Sequence, residues 1–260
     1  MSVHPPVLPG LVAGLRTGAV RVIDLTAPLS EDTPVISLPP DRGQPWPFER
    51  RLISKYDAGG PTVYWNNIRL SEHTGTHFDA PVHWLPGKDL DDVSQVPAAR
   101  LVAPAAVLDF SAEATADPDF LLRREHVEAW QARHGPLPEH GWLLYRTGWD
   151  ARLANPDRFL NDGHTPGVDP KCARWLAEET SVLGIGAETV GTDAGQAATF
   201  ADQPYPCHWY FQGAGKYGLT QLRNLALLPP QGAVVIAGPL PIVGGSGSPA
   251  RVLALVEQSA

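Results

Sequence analysis

The sequence predicts a mixed α/β domain of the α+β kind, with a β-rich core flanked by helices. Three observations carry that expectation. Short β-branched and aromatic runs recur with turn residues between them, and only two segments show helical spacing. The 27 prolines and 25 glycines are spread along the chain, as ordered turns would be, and do not gather in a linker. A length of 260 residues suits one large core as readily as two small ones. With no repeat and no low-complexity segment, a single domain over 1–260 is expected, with residues 1–19 as an N-terminal arm.

Taken in order, the strand runs are VRVID at 20–24, VYWNNIRL at 63–70, LVAPAAVLDF at 101–110, GWLLYRT at 141–147, SVLGIG at 181–186, AVVIAG at 233–238 and RVLALVE at 251–257. A helix is expected over 119–135, where Leu122, Val127 and Trp130 recur near helical spacing and Gly135 stands as a stop. A second is expected over 169–180, opened by Asp169 as N-cap with Pro170 at the first helical position. The acidic run at 89–93 reads as a solvated loop.

A formal net charge of −8, without a Lys/Arg cluster, removes the footprint of a nucleic-acid or anionic-membrane binder. A small-molecule partner fits better. The opening MSVHPPVLPG has no basic residue ahead of an apolar run, which argues against a secretory signal. The long uncharged stretch 224–250 is broken by Pro229, Pro230, Pro239 and Pro241, which argues against a membrane span. Two cysteines, Cys172 and Cys207, are too few for a disulfide framework, and a cytoplasmic location follows as the expectation.

The chemistry concentrates in SEHTGTHFDAPVHW, residues 71–84. Extended backbone places His73, Gly75, His77, Asp79, Pro81 and His83 on one face, whereas a helix would throw Asp79 away from His77. A straight strand spreads those side chains too far for one ion, so the chain must bend, with Gly75 and Pro81 as the natural places. His77 and Asp79 can then share a metal, and His73 joins them. Two imidazoles and a carboxylate are a usual set for a divalent transition metal. Three histidines and an aspartate in register are costly to bury without such a purpose. Glu72, out of register, reads as a surface charge.

The motif HTGTHFDAPVH matches the signature H-x-G-T-H-x-D-x-P-x-H of the cyclase or kynurenine formamidase-like family of metal-dependent amide hydrolases. The resemblance continues through VIDLTAPLSEDTPV at 22–35, LLYRTGW at 143–149, GTDAG at 191–195 and the C-terminal stretch 222–255. It implies a swivelling β/β/α-type fold, metal ligands at His73, His77 and Asp79, a catalytic histidine at His83, and a further catalytic histidine at His208. Where the zinc formamidases carry a second-metal glutamate, this chain has Gln221, which resembles the isatin hydrolase branch with a single manganese. The implied cofactor is one divalent ion, Mn²⁺ favoured and Zn²⁺ possible, with Gln221 completing its shell. The family also implies a homodimer, built in part with the N-terminal arm.

The activity so implied is hydrolysis of a cyclic amide, isatin to isatinate, by metal-activated water with His83 relaying the proton. A zinc-dependent N-formylkynurenine formamidase is the alternative. A rival from another class is a non-haem iron oxygenase using His77, Asp79 and His208, with Arg223 as co-substrate clamp, although it leaves His73 and His83 idle. Phe78, Trp84, Trp65 and Trp209, with Tyr64, are candidates to wall an aromatic substrate. His126, His134 and His140 read as surface residues, His164 as a weak supporting candidate, and Cys207 as no nucleophile because it faces away from its neighbour His208.

Overall fold

The computed structural model describes residues 6–258. Its strands are β1 (Val20–Asp24), β2 (Glu49–Asp57), β3 (Gly60–Arg69), β4 (His77–Asp79), β5 (Val102–Asp109), β6 (Leu121–Leu122), β7 (Trp142–Arg146), β8 (Gly167–Val168), β9 (Gly184–Ala187), β10 (Tyr217–Thr220), β11 (Ala233–Pro239) and β12 (Gly247–Glu257). Its α-helices are α1 (Val7–Thr17), α2 (Ser111–Ala116), α3 (Arg124–His134), α4 (Pro156–Leu160) and α5 (Pro170–Glu178).

Eight strands form one sheet in the order β1-β12-β11-β5-β7-β9-β10-β4. The sheet closes on itself because the long β12 pairs with β11 on one side and, on the other, with β4 at its start and β1 at its end. Closure removes the exposed edges that an open sheet would leave at β4 and β12. Neighbours β5, β7, β9 and β10 run parallel, and α3 and α5 lie in the crossovers β5–β7 and β7–β9.

Strand alternation divides the apolar residues between two cores. Within β7, Trp142 and Leu144 point into the barrel, beside Phe78, Val107, Leu219, Val235 and Val252. Leu143 and Tyr145 point outward, under Trp130 of α3 and Leu176 of α5. Burial on both faces explains why these parallel strands read as continuous hydrophobic runs. The indole of Trp130 is fixed by donating to the Val107 carbonyl at 3.0 Å. Asp169 caps α5 by accepting from Lys171 N and Cys172 N, as its position in the sequence implies.

Two expectations need correction. The helix expected over 119–135 begins at Arg124, because Leu121 and Leu122 pair with Gly167 and Val168 as a short parallel ladder. The strand expected over 181–186 is shifted to Gly184–Ala187, with Val182 and Leu183 packed in the approach to it. The N-terminal arm is largely helical: α1 spans Val7–Thr17 and ends at Gly18 in left-handed conformation. Pro9 falls in its first turn, where the missing N–H has no carbonyl to reach. Residues 1–5 of the arm lie outside the described residues.

Candidate metal centre

The motif segment bends where its sequence suggested. Only His77–Asp79 is strand; Gly75 ahead of it takes a φ of 68°, and Pro81–His83 behind it forms a 3₁₀ turn. Each bend turns the chain back on itself, and the imidazoles of His73 and His83 meet with ring centroids 3.9 Å apart and planes inclined by 26°. Ligand atoms of His73, Asp79 and His83 all lie within 4.8 Å of one another. His77 Nε2 is 3.3 Å from Asp79 Oδ1, on the same carboxylate oxygen that His73 Nδ1 approaches at 2.9 Å. His83, expected as a proton carrier apart from the ligands, thus stands as close to Asp79 as a ligand would.

The tautomer of His77 is legible from its neighbours. Its Nδ1 lies 2.7 Å from the Gly75 carbonyl, which can only accept, so Nδ1 carries the proton and Nε2 keeps its lone pair toward Asp79. Asp79 sits between two strands whose facing residues are glycines: Gly218 of β10 and Gly247 of β12. A Cβ on Gly218 would stand 2.6 Å from Asp79 Oδ2, and one on Gly247 would stand 2.6 Å from His73 Cε1. The missing side chains make the cradle in which carboxylate and imidazole converge.

His208 opens a π-helical turn, His208–Gln212, and reaches the cluster from the opposite side. Its ring lies 5.4 Å from that of His83, and its Nε2 is 4.0 Å from Asp79 Oδ2. Its Nδ1 is 2.5 Å from Asp193 Oδ2, and Asp193 also accepts from Cys207 N at 2.6 Å and His208 N at 3.2 Å. Asp193 is a positioning residue that the sequence reading did not name, although its GTDAG turn was noticed. The partnership spans fifteen residues, and no local spacing announces it.

Charges follow this packing. Burial alone would raise the Asp79 carboxyl, but the charge that His77 and His73 carry when protonated outweighs it and holds Asp79 well below the usual carboxylate range. Burial, with His73 beside it, pushes His83 down to about 3, so His83 is neutral at pH 7. Burial works against protonation of His208 too, yet its bond and attraction to Asp193 prevail and raise it. Burial pushes the Cys207 thiol well up, in keeping with its exclusion as a nucleophile.

Among the described residues, the buried Asp79 Oδ2 and Gln221 Oε1 have no hydrogen-bond partner. Gln221 follows Thr220, which pairs with His77, and holds a φ of 51°, an unusual conformation for a non-glycine residue. Its carbonyl accepts from Thr76 Oγ1 at 2.7 Å. An orphaned carboxylate oxygen beside converging imidazoles is what a cation site presents, and imidazoles with a carboxylate are a donor set that fits a divalent ion.

The aromatic candidates divide. Trp84 packs over the cluster, 4.8 Å from His208 and 5.7 Å from His83, and Tyr205, which the sequence reading missed, stacks behind it at 5.4 Å. Phe78 is a correction: it alternates away from His77 and Asp79 and is fully buried between Trp142 and Tyr217. Trp65 and Tyr64 stand exposed on the β2–β3 hairpin, and Trp209 is half-buried; none has ring contact with the histidines among the described residues. His164 pairs with exposed Asp119 instead of joining the cluster. Glu72 is no free surface charge, since its carboxylate accepts from Ser246.

A second buried carboxyl lies at the carboxyl ends of the parallel strands. Glu188, just after β9, accepts from Thr147 N at 2.7 Å and Trp149 N at 3.2 Å. Burial, assisted by the charge of Asp150, pushes it up to about 7 against those bonds. Asp150 lines a cavity of about 520 Å³ together with Gln221, Arg223, Ser30 and Thr33.

Known proteins resemble this chain over most of its length. Residues 23–194 match the model of the Cyclase family, described as "Putative cyclase". Isatin hydrolase of Roseibium aggregatum is 43% identical over 259 residues, covering 97% of this chain and 98% of that protein. Kynurenine formamidase of Salinibacter ruber is 30% identical over 237 residues, covering 90% of this chain and 97% of that protein. The solved structure of isatin hydrolase A from Ralstonia solanacearum superposes with a TM-score of 0.95 at 48% identity, covering 99% of this chain and all of that one. From the folded motif and from matches that run through most of its length, the chain belongs to the cyclase family.

Proposed function

We propose that the protein is a metal-dependent hydrolase that opens the five-membered lactam of isatin to isatinate. The observation that carries this reading is the convergence of His73, His77 and His83 on the buried carboxylate of Asp79, whose second oxygen has no hydrogen-bond partner among the described residues. The identities of 43% and 48% to proteins named isatin hydrolase favour isatin over N-formylkynurenine, for which the reported relative is 30% identical. When bound, a divalent ion supplies Lewis acidity to the lactam carbonyl and lowers the pKa of water beside it.

His73, His77 and Asp79 hold the ion, with Gln221 Oε1 as a further ligand. Two oxygens and two nitrogens suit Mn²⁺, and the neutral amide of Gln221, in place of a carboxylate, favours one ion over two. His83, kept neutral and locked against His73, takes the proton from the attacking water as its oxygen bonds to the amide carbon. As the carbon–nitrogen bond breaks, His83 returns that proton to the nitrogen, leaving an aniline and a carboxylic acid that releases its proton to solvent as the carboxylate. Asp193 holds the proton of His208 on Nδ1 and turns Nε2 toward the reacting centre. Trp84, with Tyr205 behind it, offers the flat wall that an aromatic lactam would stack on.

The oxygenase alternative would leave His73 and His83, both inside the cluster, without function. The chain acts as a homodimer in this reading. Leu52, Ile53, Tyr56, Val63, Trp65 and Ile68 are exposed on the β2–β3 hairpin, and a two-stranded hairpin is marginal without a surface to pack on. Both cysteines are buried and free, and among the described residues no helix is long and apolar enough to cross a membrane; a cytoplasmic setting accords with the thiols. Ultraviolet assay of isatin ring opening with purified, metal-loaded protein tests the reading. Turnover of N-formylkynurenine with none of isatin would overturn the substrate assignment.

A further inference from the structure

We infer that Glu72 and Ser246 form a hydrogen-bond relay that fixes the tautomer of His73 and thereby sets metal affinity; the inference rests on the metal-dependent reading above. Glu72 Oε2 lies 2.7 Å from Ser246 Oγ, and Ser246 Oγ lies 2.9 Å from His73 Nε2. The direction of these bonds is determined by chemistry. A carboxylate only accepts, so the serine hydroxyl donates its single proton to Glu72. The serine oxygen can then only accept from His73, which places the imidazole proton on Nε2.

The consequence appears on the other side of the ring. His73 Nδ1 is left with its lone pair 2.9 Å from Asp79 Oδ1. Two acceptors at that distance repel unless a cation lies near both, so the relay prepares the pair to share an ion instead of a proton. Without it, Nδ1 could hold the proton and donate to Asp79, and both atoms would be lost as ligands. A histidine whose second nitrogen is held by an acceptor is a recurrent feature of metal sites, and loss of that acceptor typically costs about 10–100-fold in affinity. Here the acceptor is a serine that takes its orientation from a carboxylate one residue before the histidine.

The backbone holds the relay in register. Ser246 O accepts from Ala80 N at 3.0 Å, directly beside the Gly247–Asp79 pair of β12 and β4. Ser246 N donates to Glu72 at 3.0 Å, a second bond that ties Glu72 to the start of β12 whatever the serine side chain does. Gly247 leaves the space that the His73 ring occupies. Glu72 and Ser246 are thus positioning residues that act through His73.

The test is the affinity of the full-length, metal-free protein for Mn²⁺, read from the electron paramagnetic resonance signal of the free ion, beside the melting temperature of the metal-free protein. Ser246→Ala weakens Mn²⁺ binding by about 10–100-fold while the metal-free melting temperature stays at the wild-type value, because the Ser246 N bond to Glu72 remains. Ser246→Thr, which keeps the hydroxyl, restores affinity. Glu72→Gln gives a separate, smaller loss and serves if the Ser246→Ala chain does not fold. The double variant Glu72→Gln/Ser246→Ala binds no more weakly than Ser246→Ala alone, since Glu72 acts through the serine. Affinity within about twofold of wild type in Ser246→Ala, or additive losses in the double variant, would overturn the relay. Absence of Mn²⁺ and Zn²⁺ binding by the wild-type protein would instead overturn the metal-dependent reading itself.

Discussion

The imidazole of His83 lies flat against that of His73, 3.9 Å between centroids, so the proposed proton carrier and a proposed metal ligand are locked in one stack. His83 is also neutral, through burial and the neighbouring His73. His83→Ala is therefore expected to lower kcat by about 10²–10⁴-fold, while metal content and melting temperature stay near wild type. Wild-type turnover would remove the proton-carrying role; loss of the metal with full retention of fold would make His83 a ligand.

Asp79 and its glycine neighbours give a second expectation. Gly218→Ala introduces a Cβ 2.6 Å from Asp79 Oδ2. The displaced carboxylate should weaken metal binding by about tenfold or more, on the scale of losing a ligand-orienting contact. Asp79→Ala should abolish metal uptake. Metal analysis after dialysis distinguishes both from wild type, and undiminished occupancy in Asp79→Ala would contradict the site.

Asp193 reaches the cluster through His208, by a 2.5 Å contact to Nδ1. Asp193→Asn keeps the size of the group and can still accept from Cys207 N, but replaces an acceptor facing His208 with an amide. A fall in kcat of about 10–100-fold with little change in KM is expected, as for an outer partner of a site imidazole. An unchanged pH profile and rate in Asp193→Asn would mean that His208 does not need its carboxylate.

Glu188 makes stability depend on pH in an unusual direction. Folded, it holds its proton up to about pH 7; unfolded, a glutamate releases it near 4.5. Between those values the folded state binds more protons, so stability falls as pH rises, by roughly 3 kcal/mol from this group across the interval. Glu188→Gln should flatten that slope and raise the melting temperature relative to wild type at pH 8. Identical slopes for the two proteins between pH 5 and 8, in urea titrations, would show that Glu188 is not the group responsible.

The sequence made the parallel core legible because strands buried on both faces read as uninterrupted apolar runs, as in LLY of β7. It hid β2, whose charged ERRLISKYD pairs in a hairpin that leaves most of its side chains exposed. Leu122 shows the limit of periodicity, since helical spacing before Arg124 gave way to pairing with Val168, a partner distant in sequence. In the site, His73, His77, Asp79 and His83 were legible because one segment carries them with bend-forming residues between. Phe78 was misread through nearness in sequence, although strand alternation already turns it from Asp79. Glu72 and Asp193 were missed because their partners, Ser246 and His208, come from other segments and meet them only in the folded chain.

The proposed reaction requires one divalent ion, held by the motif residues, to open a cyclic amide. The most direct measurement strips the protein of metal with a chelator, returns Mn²⁺ in steps, and follows isatin ring opening by absorbance at each step. The account predicts negligible turnover at zero metal, a linear rise, and a plateau at one equivalent per chain. Full turnover in the stripped protein, or a plateau reached only at two equivalents, would contradict it.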